Sequence, residues 1–203
     1  MEFVFYVLLA LGSYLLGCVS LSIMLSKKVY GTDVRGMGSG NAGATNMARV
    51  FGLNAGVLTL IADALKAAVA MLVGHLLFGD MGVCVAGIAS LIGHCYPVLY
   101  GFKGGKGVSV GVAVAFAIDW KVGLFIVVCF AIVAACTKKV SPSSIAGALG
   151  IVVACVIFKA SAPEMVLAVF GCILVIYRHK ENIKRLIAGT EPNFKPGSRK
   201  EKY

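Results

Sequence analysis

Ser39, Asn41, Thr45, Asn46 and Arg49 crowd into the stretch S-G-N-A-G-A-T-N-M-A-R at 39–49, with glycines at 40 and 43. Hydroxyls, amides and a guanidinium complete the hydrogen-bonding shell of a phosphate, and glycines let the backbone approach it. Three more stretches share this character: G-F-K-G-G-K-G at 101–107, S-P-S-S at 141–144 and Y-R-H-K-E-N-I-K-R-L at 177–186. Consecutive glycine N–H groups or a helix N-terminus can cradle an anion. Arg49, Lys106, Arg178, Lys184 and Arg185 supply charge enough for one phosphorylated ligand or two. No cluster of carboxylates accompanies them to hold Mg²⁺ or Ca²⁺.

Each stretch also has a plainer reading. The glycine-rich 36–49 region could be a flexible loop, although Asn41, Thr45, Asn46 and Arg49 recur at helix-like spacing. Lys103 and Lys106 could be topology charges, S-P-S-S an ordinary N-cap signal, and the basic tail a layer over lipid headgroups. His179 and Asn182, three residues apart on a helix end, share a face.

The surroundings are mostly oil. The 203 residues are 59% hydrophobic and 14% charged, with mean hydropathy +0.92; a soluble domain carries about 25% charged residues. Charges divide the chain into apolar segments near 3–26, 50–79, 81–102, 104–118, 121–137, 140–158 and 163–177. Backbone groups in lipid must bond within their own segment, so the expectation is an all-α integral membrane protein of about seven transmembrane helices. The fourth and seventh segments have uncharged cores of about a dozen residues, short of the ~20 a span needs. They borrow flanking residues, or are short helices lining a cavity; a re-entrant segment would reduce the count to five or six.

Seven spans sort the loops by side. Sixteen of the nineteen Lys and Arg residues fall on one side, with all four polar stretches. By the positive-inside rule that side is cytoplasmic, with the N-terminus outside and the C-terminus cytoplasmic. This asymmetry accounts for the net charge of +10 without nucleic acid. The first segment lacks a basic n-region and is long enough to span, so it reads as a retained helix. Seven scattered cysteines read as small packing residues, not as a disulfide framework or zinc site. Asp63 and Lys66 can pair at i, i+3 inside the second segment, where intramembrane charges usually matter; a structural pair and a site-facing pair are equally open readings.

Two apparent motifs fail on inspection. G-F-K-G-G-K-G-V-S lacks the first Gly and the terminal Ser/Thr of a Walker A loop, since Tyr100 and Gly107 stand there, and no strand precedes it. His75 and Asp80 have the His-x4-Asp spacing of the large glycerolipid acyltransferase superfamily, but fall at the outer end of the second segment, away from every basic stretch.

Taken together, S-G-N-A-G-A-T-N-M-A-R at 39–49, G-H-C-Y-P-V-L-Y-G-F-K-G-G-K-G-V at 93–108, V-S-P-S-S-I at 140–145 and Y-R-H-K-E-N-I-K-R-L-I-A-G-T-E at 177–191 resemble the bacterial acyl-phosphate:glycerol-3-phosphate acyltransferases. D-A-L-K at 63–66 fits the family's Asp-x-x-Lys; Ala67 and Val110 depart from its common Gly and Thr. The resemblance implies an inner-membrane enzyme that transfers a fatty acyl group from acyl phosphate to position 1 of sn-glycerol 3-phosphate. The products are lysophosphatidic acid and phosphate, the first step of bacterial phospholipid synthesis, and no metal or other cofactor is needed.

Carried over by position, the resemblance implies His179, Ser39, Arg49 and Asn182 as catalytic residues. It implies Gly40, Asn41, Thr45, Asn46, Gly104, Gly105, Lys106, Gly107, Ser141, Ser144 and Arg185 as substrate-binding residues. The role of Ser143 stays open. Residues 1–191 are expected to form one transmembrane domain, followed by a basic tail at 192–203. His179 is the one candidate base among the matched motifs, and a substrate phosphate oxygen is its rival for the proton. No Asp or Glu in the motifs is evidently placed to fix its tautomer, so an orienting or shared role is favoured. The acyl chain is expected in a groove between helices lined by small residues. A phosphate transporter is the competing class, but it would show an internal repeat and polar groups near mid-membrane. A non-catalytic lipid-binding scaffold would leave the ordered Ser/Asn/Thr/Arg set unexplained.

Overall fold

A computed structural model describes residues 2–197, and the last part of the expected tail, 198–203, lies outside the described residues. Among the described residues every regular element is helical: α1 Glu2–Cys18, α2 Leu21–Val29, α3 Ala44–Phe51, α4 Leu53–Cys95, α5 Val108–Ile118, α6 Trp120–Thr137, α7 Val140–Ile157, α8 Ala162–Arg178 and α9 Lys180–Ile187, with 3₁₀ turns at Val34–Gly36 and Val98–Tyr100. Glu2–Val29, Leu53–Tyr100, Trp120–Thr137 and Val140–Ile157 are long and apolar enough to cross a bilayer, and Ala162–Arg178 with Lys180–Ile187 forms a fifth stretch bent by 58°. Large apolar side chains such as Leu76, Val156 and Ile173 stay exposed around the bundle, as a lipid-facing surface requires.

Straight, α4 would be ~64 Å long, about twice the hydrocarbon thickness. It doubles back instead. Phe78 (φ −143°, ψ 18°) and Gly79 (φ 58°, ψ −141°) leave helical geometry. Gly79 takes the left-handed conformation that a side chain would resist. The two arms run antiparallel, with Asp63 against His94, Met71 beside Gly87 and Gly74 against the backbone of Gly82. The segments expected at 50–79 and 81–102 are these two arms. Small residues also bring α1 onto the second arm, since a side chain at Gly17 or Gly93 would strike the backbone of the other helix.

One expectation is revised and one alternative is decided. The first segment is not one helix, because α1 ends at Cys18 and α2 restarts at Leu21. Lys66 Nζ caps the Val19 carbonyl in that break, which supplies the partner that lipid would not. The fourth segment is the short helix that its length allowed: α5 has 11 residues, ~16 Å of rise, well under the hydrocarbon thickness. Its N-terminus begins at the glycine loop, beside the second arm's end.

Candidate active site

All four polar stretches open on one cavity of about 790 Å³. Its mouth is lined by Ser39, Asn41, Thr45, Asn46 and Arg49, by Lys106 and Ser109, by Ser141 and Ser144, and by His179, Asn182, Arg185 and Glu191. Below these lies an apolar chamber of Leu91, Val112, Val114, Ile126, Phe130, Ala148, Ile151 and Val175, contributed by α4 to α8. The two small residues Gly147 and Gly171 also face it.

The 39–49 stretch is a loop feeding α3. Asn46 is 1% exposed, and its amide is fully committed: Nδ2 lies 3.0–3.1 Å from the carbonyls of Val34, Met37 and Asn41. Its Oδ1 accepts from the Ser39 N–H at 2.9 Å. Asn46 therefore orders the loop, and the expected direct phosphate contact has no free hydrogen left to make it. Gly38 and Gly40, at φ 57° and 72°, give the loop its turns. That holds Ser39 at the mouth and Arg49, in the last turn of α3, over the cavity. No group among the described residues bonds the Arg49 guanidinium.

The glycine loop also differs from expectation. Gly105 N–H donates to the His94 carbonyl at 3.0 Å and Gly104 N–H to the Cys95 carbonyl at 3.3 Å, closing the end of α4. Arg178 grips the other edge: Nε and Nη2 lie 2.9–3.2 Å from the carbonyls of Gly104 and Gly105. Its guanidinium also lies over the Tyr96 ring at 4.9 Å. These glycines, with Gly107 and Gly40, shape the walls but do not line the cavity. The N–H groups of Gly40, Gly104 and Gly105 are spent on the backbone carbonyls of Met37, Cys95 and His94 and are not free to form the cradle, and Arg178 is a loop clamp. What faces the cavity instead is Lys106 together with Val108 and Ser109, the start of α5. Lys184 pairs with Glu181 at 3.2 Å on the exposed surface, away from the cavity.

Glu191, which the sequence reading did not single out, ties the third and fourth stretches together. Its Oε1 accepts from Ser141 Oγ and, at 2.7 Å, from Asn182 Nδ2, and its Oε2 accepts from Arg185 Nε at 2.7 Å. Lys139 Nζ holds its backbone carbonyl at 2.6 Å. Asn182 Oδ1 in turn accepts from Lys106 Nζ, so one network runs from the glycine loop to the C-terminal segment. Burial would raise the Glu191 carboxyl, but bonds from Ser141, Asn182 and Arg185 outweigh it and hold the pKa below its ordinary value. The signal was present, since Glu191 closes the matched G-T-E, but a lone acid in a basic tail looks like solvated charge. Ser144 Oγ bonds the Val140 carbonyl at 3.0 Å and Ser143 Oγ the Lys139 carbonyl at 2.7 Å; only Ser144 faces the cavity. Residues 192–197 lie against the bundle: Phe194 N–H bonds the Lys138 carbonyl at 2.9 Å and Gly197 N–H the Ala48 carbonyl at 3.0 Å. Pro192 and Phe194 line the cavity.

His179 sits in the break between α8 and α9, 3% exposed. Burial, with Lys106 and Arg178 nearby, pulls its pKa down to about 4 against the opposing effect of the Val175 carbonyl. The imidazole is therefore neutral at pH 7. Nδ1 lies 2.8 Å from the Val175 carbonyl, which can only accept, so Nδ1 carries the proton and Nε2 the lone pair. A backbone carbonyl does what no acid in the motifs could. Lys106 is lowered to about 8, by burial first and then by the cations of Arg185, Arg178 and Arg49, against Glu191. His75 and Asp80 are exposed beside the α4 bend and neither reaches the cavity.

Fold and cavity define the class: a multi-pass membrane protein whose chamber, basic at the mouth and apolar within, suits a phosphorylated amphiphile. The family model for glycerol-3-phosphate acyltransferase matches residues 7–189, and the chain belongs to that family of membrane enzymes. Curated relatives carrying that name include one from Thermoanaerobacter pseudethanolicus, 40% identical over 91% of this chain and 93% of its own. Another, from Syntrophotalea carbinolica, is 41% identical over 94% and 98%. A third, from Clostridioides difficile, is 37% identical over 99% and 100%. Among solved structures, the chain is similar to crystal structures of PlsY, an integral membrane glycerol 3-phosphate acyltransferase, at 35% identity. The glycerol 3-phosphate form gives a TM-score of 0.90, covering 94% of this chain and 96% of that one. The lysophosphatidic acid form gives 0.87, covering 94% and 95%.

Proposed function

We propose that this chain transfers a fatty acyl group from acyl phosphate to position 1 of sn-glycerol 3-phosphate at the cytoplasmic face of a bacterial inner membrane. The observation that carries this reading is the continuity of the basic mouth with the apolar chamber. An acyl phosphate is a phosphate joined to a chain, and it matches both halves at once. The forms in which PlsY was crystallised name the acceptor and product of that protein, and 35% identity over 94% of the chain supports the same pair here. The basic loops and tail support the cytoplasmic orientation.

An acyl phosphate already has a good leaving group, so positioning and charge neutralisation dominate. Arg49, Lys106 and Arg185 offset the repulsion between two bound phosphates. The glycerol hydroxyl oxygen attacks the acyl carbonyl carbon, and the carbon–oxygen bond to phosphate breaks. A phosphate oxygen of the bound substrates takes the proton, and His179, its Nδ1–H held by the Val175 carbonyl, accepts at Nε2 a hydrogen bond that aims the hydroxyl.

Detergent-purified protein given palmitoyl phosphate and glycerol 3-phosphate is expected to release phosphate and lysophosphatidic acid in equal amounts without added metal. Palmitoyl-CoA as sole donor is expected to be inert. Turnover with acyl-CoA alone sinks the donor assignment.

The pH profile follows from Lys106. It is charged below about pH 8 and neutral above, so kcat/KM is expected to fall through that region. The limb for kcat is expected to lie higher, because bound phosphate favours the ammonium. A profile flat to pH 10 would remove Lys106 from phosphate binding.

A further inference from the structure

The buried cluster of Asp63, Lys66 and His94 takes no part in the chemistry above. Asp63 and Lys66 stand one turn apart on the first arm of α4, and His94 is near the end of the second. Lys66 Nζ lies 2.8 Å from Asp63 Oδ1 and 3.3 Å from His94 Nδ1, and it donates to the Val19 carbonyl. Three donors thus meet three acceptors. An ammonium cannot accept a hydrogen bond, so His94 Nδ1 is the acceptor and its ring proton is on Nε2. Asp63 Oδ1 stands farther from Nδ1, at 3.6 Å, than the Lys66 ammonium does.

His94 is 6% exposed, yet it lines the cavity, and its Nε2 edge abuts Gly105, the residue before Lys106. No group among the described residues bonds Nε2. Every fully enclosed side-chain nitrogen and oxygen among them has a partner, so Nε2 is not sealed off. It is an unpartnered donor on a nine-tenths buried ring in the cavity wall, one residue from Lys106.

We propose that His94 donates Nε2–H to a phosphate oxygen of a bound substrate, in the tautomer fixed by the Lys66–Asp63 pair. The proposal rests on the phosphate reading of the cavity and adds a neutral donor to its cations. It gives the membrane-buried Asp63–Lys66 pair a function: it sets the proton of a ligand-facing ring.

The test uses the full chain in detergent. Binding of inorganic phosphate is read by thermal shift, and KM is measured separately for glycerol 3-phosphate and palmitoyl phosphate. In His94→Leu, loss of a hydrogen bond to a charged group is expected to weaken phosphate binding about tenfold or more. The melting midpoint without phosphate is expected to fall as well, because Lys66 loses an acceptor, so binding is read as the shift that phosphate adds to each variant's own midpoint. His94→Gln, whose amide nitrogen reaches the Nε2 position, is expected to retain binding. A rise in KM for one substrate alone says whose phosphate His94 holds. His94→Leu binding phosphate as the wild type does, or His94→Gln failing as badly as His94→Leu, overturns the proposal. If His94→Leu does not fold, His94→Asn takes its place, since the shorter amide reaches only the Nδ1 position. Wild-type protein that binds phosphate but leaves acyl phosphate unreacted defeats the donor assignment and leaves the His94 test standing; failure to bind phosphate defeats both.

Discussion

Arg49→Ala is expected to lower kcat/KM for acyl transfer by about 10²–10³-fold, the usual loss for one preorganised donor to developing charge. The reason lies in what the other arginines already do. Arg178 is spent on the carbonyls of Gly104 and Gly105 and Arg35 on Asp33 and the Tyr100 carbonyl, while Arg185 shares its charge with Glu191 through Nε and has only its outer nitrogens for a ligand. Arg49 faces the cavity and bonds no group among the described residues. Its two parallel N–H donors match a phosphate edge, which a lysine cannot reproduce. Arg49→Lys is therefore expected to recover only part of the loss. Steady-state assays with each substrate varied in turn would check this, and Arg49→Ala within threefold of wild type would sink the assignment.

The second large effect is expected at Glu191, and it combines stability with activity. Removing a carboxylate that accepts from three side chains leaves Arg185 unpaired and Asn182 short of an acceptor. Breaking a fully buried ion pair costs about 3–5 kcal/mol. Arg185 is 41% exposed, so solvent screening reduces the expectation for Glu191→Ala to about 2 kcal/mol. Asn182 also positions Lys106, and a displacement of about 1 Å there costs on the order of 100-fold in kcat/KM. Glu191→Gln, which keeps the Oε1 contacts and loses the Arg185 pair, is expected to fall between. The carboxyl pKa is lower folded than unfolded. Its contribution is therefore complete above the unfolded value of ~4.3 and is lost as pH falls through the folded value. Melting curves at pH 7 and pH 4 for the wild type and Glu191→Ala should converge towards the acid end. A wild-type melting point and wild-type turnover in Glu191→Ala would show that the network is ornamental.

Much of this protein was legible without coordinates, because lipid leaves a chain few choices. Apolar runs between charges had to be helices, and the polar stretches had to share a side if they were to meet a common ligand. The four motifs, in order, also carried the family. The residues at the mouth of the cavity are mostly those named from the sequence.

What each one does there was decided only in three dimensions. Asn46 and the loop glycines look like ligand contacts until their hydrogen bonds are traced to neighbouring backbone. Arg178 looks like a phosphate ligand until it is found clamping the glycine loop. Glu191 looks like surface charge until the chain folds it under Ser141, Asn182 and Arg185. The tautomers of His179 and His94 depend on a carbonyl four residues back and an ammonium from the opposite arm of α4. The physical reason is common to all of these. Hydrophobic pattern and residue type are one-dimensional properties that fix which segments are helices and which groups are polar. A hydrogen bond consumes a donor or acceptor, and which groups remain free for a substrate is known only after every other bond has been made.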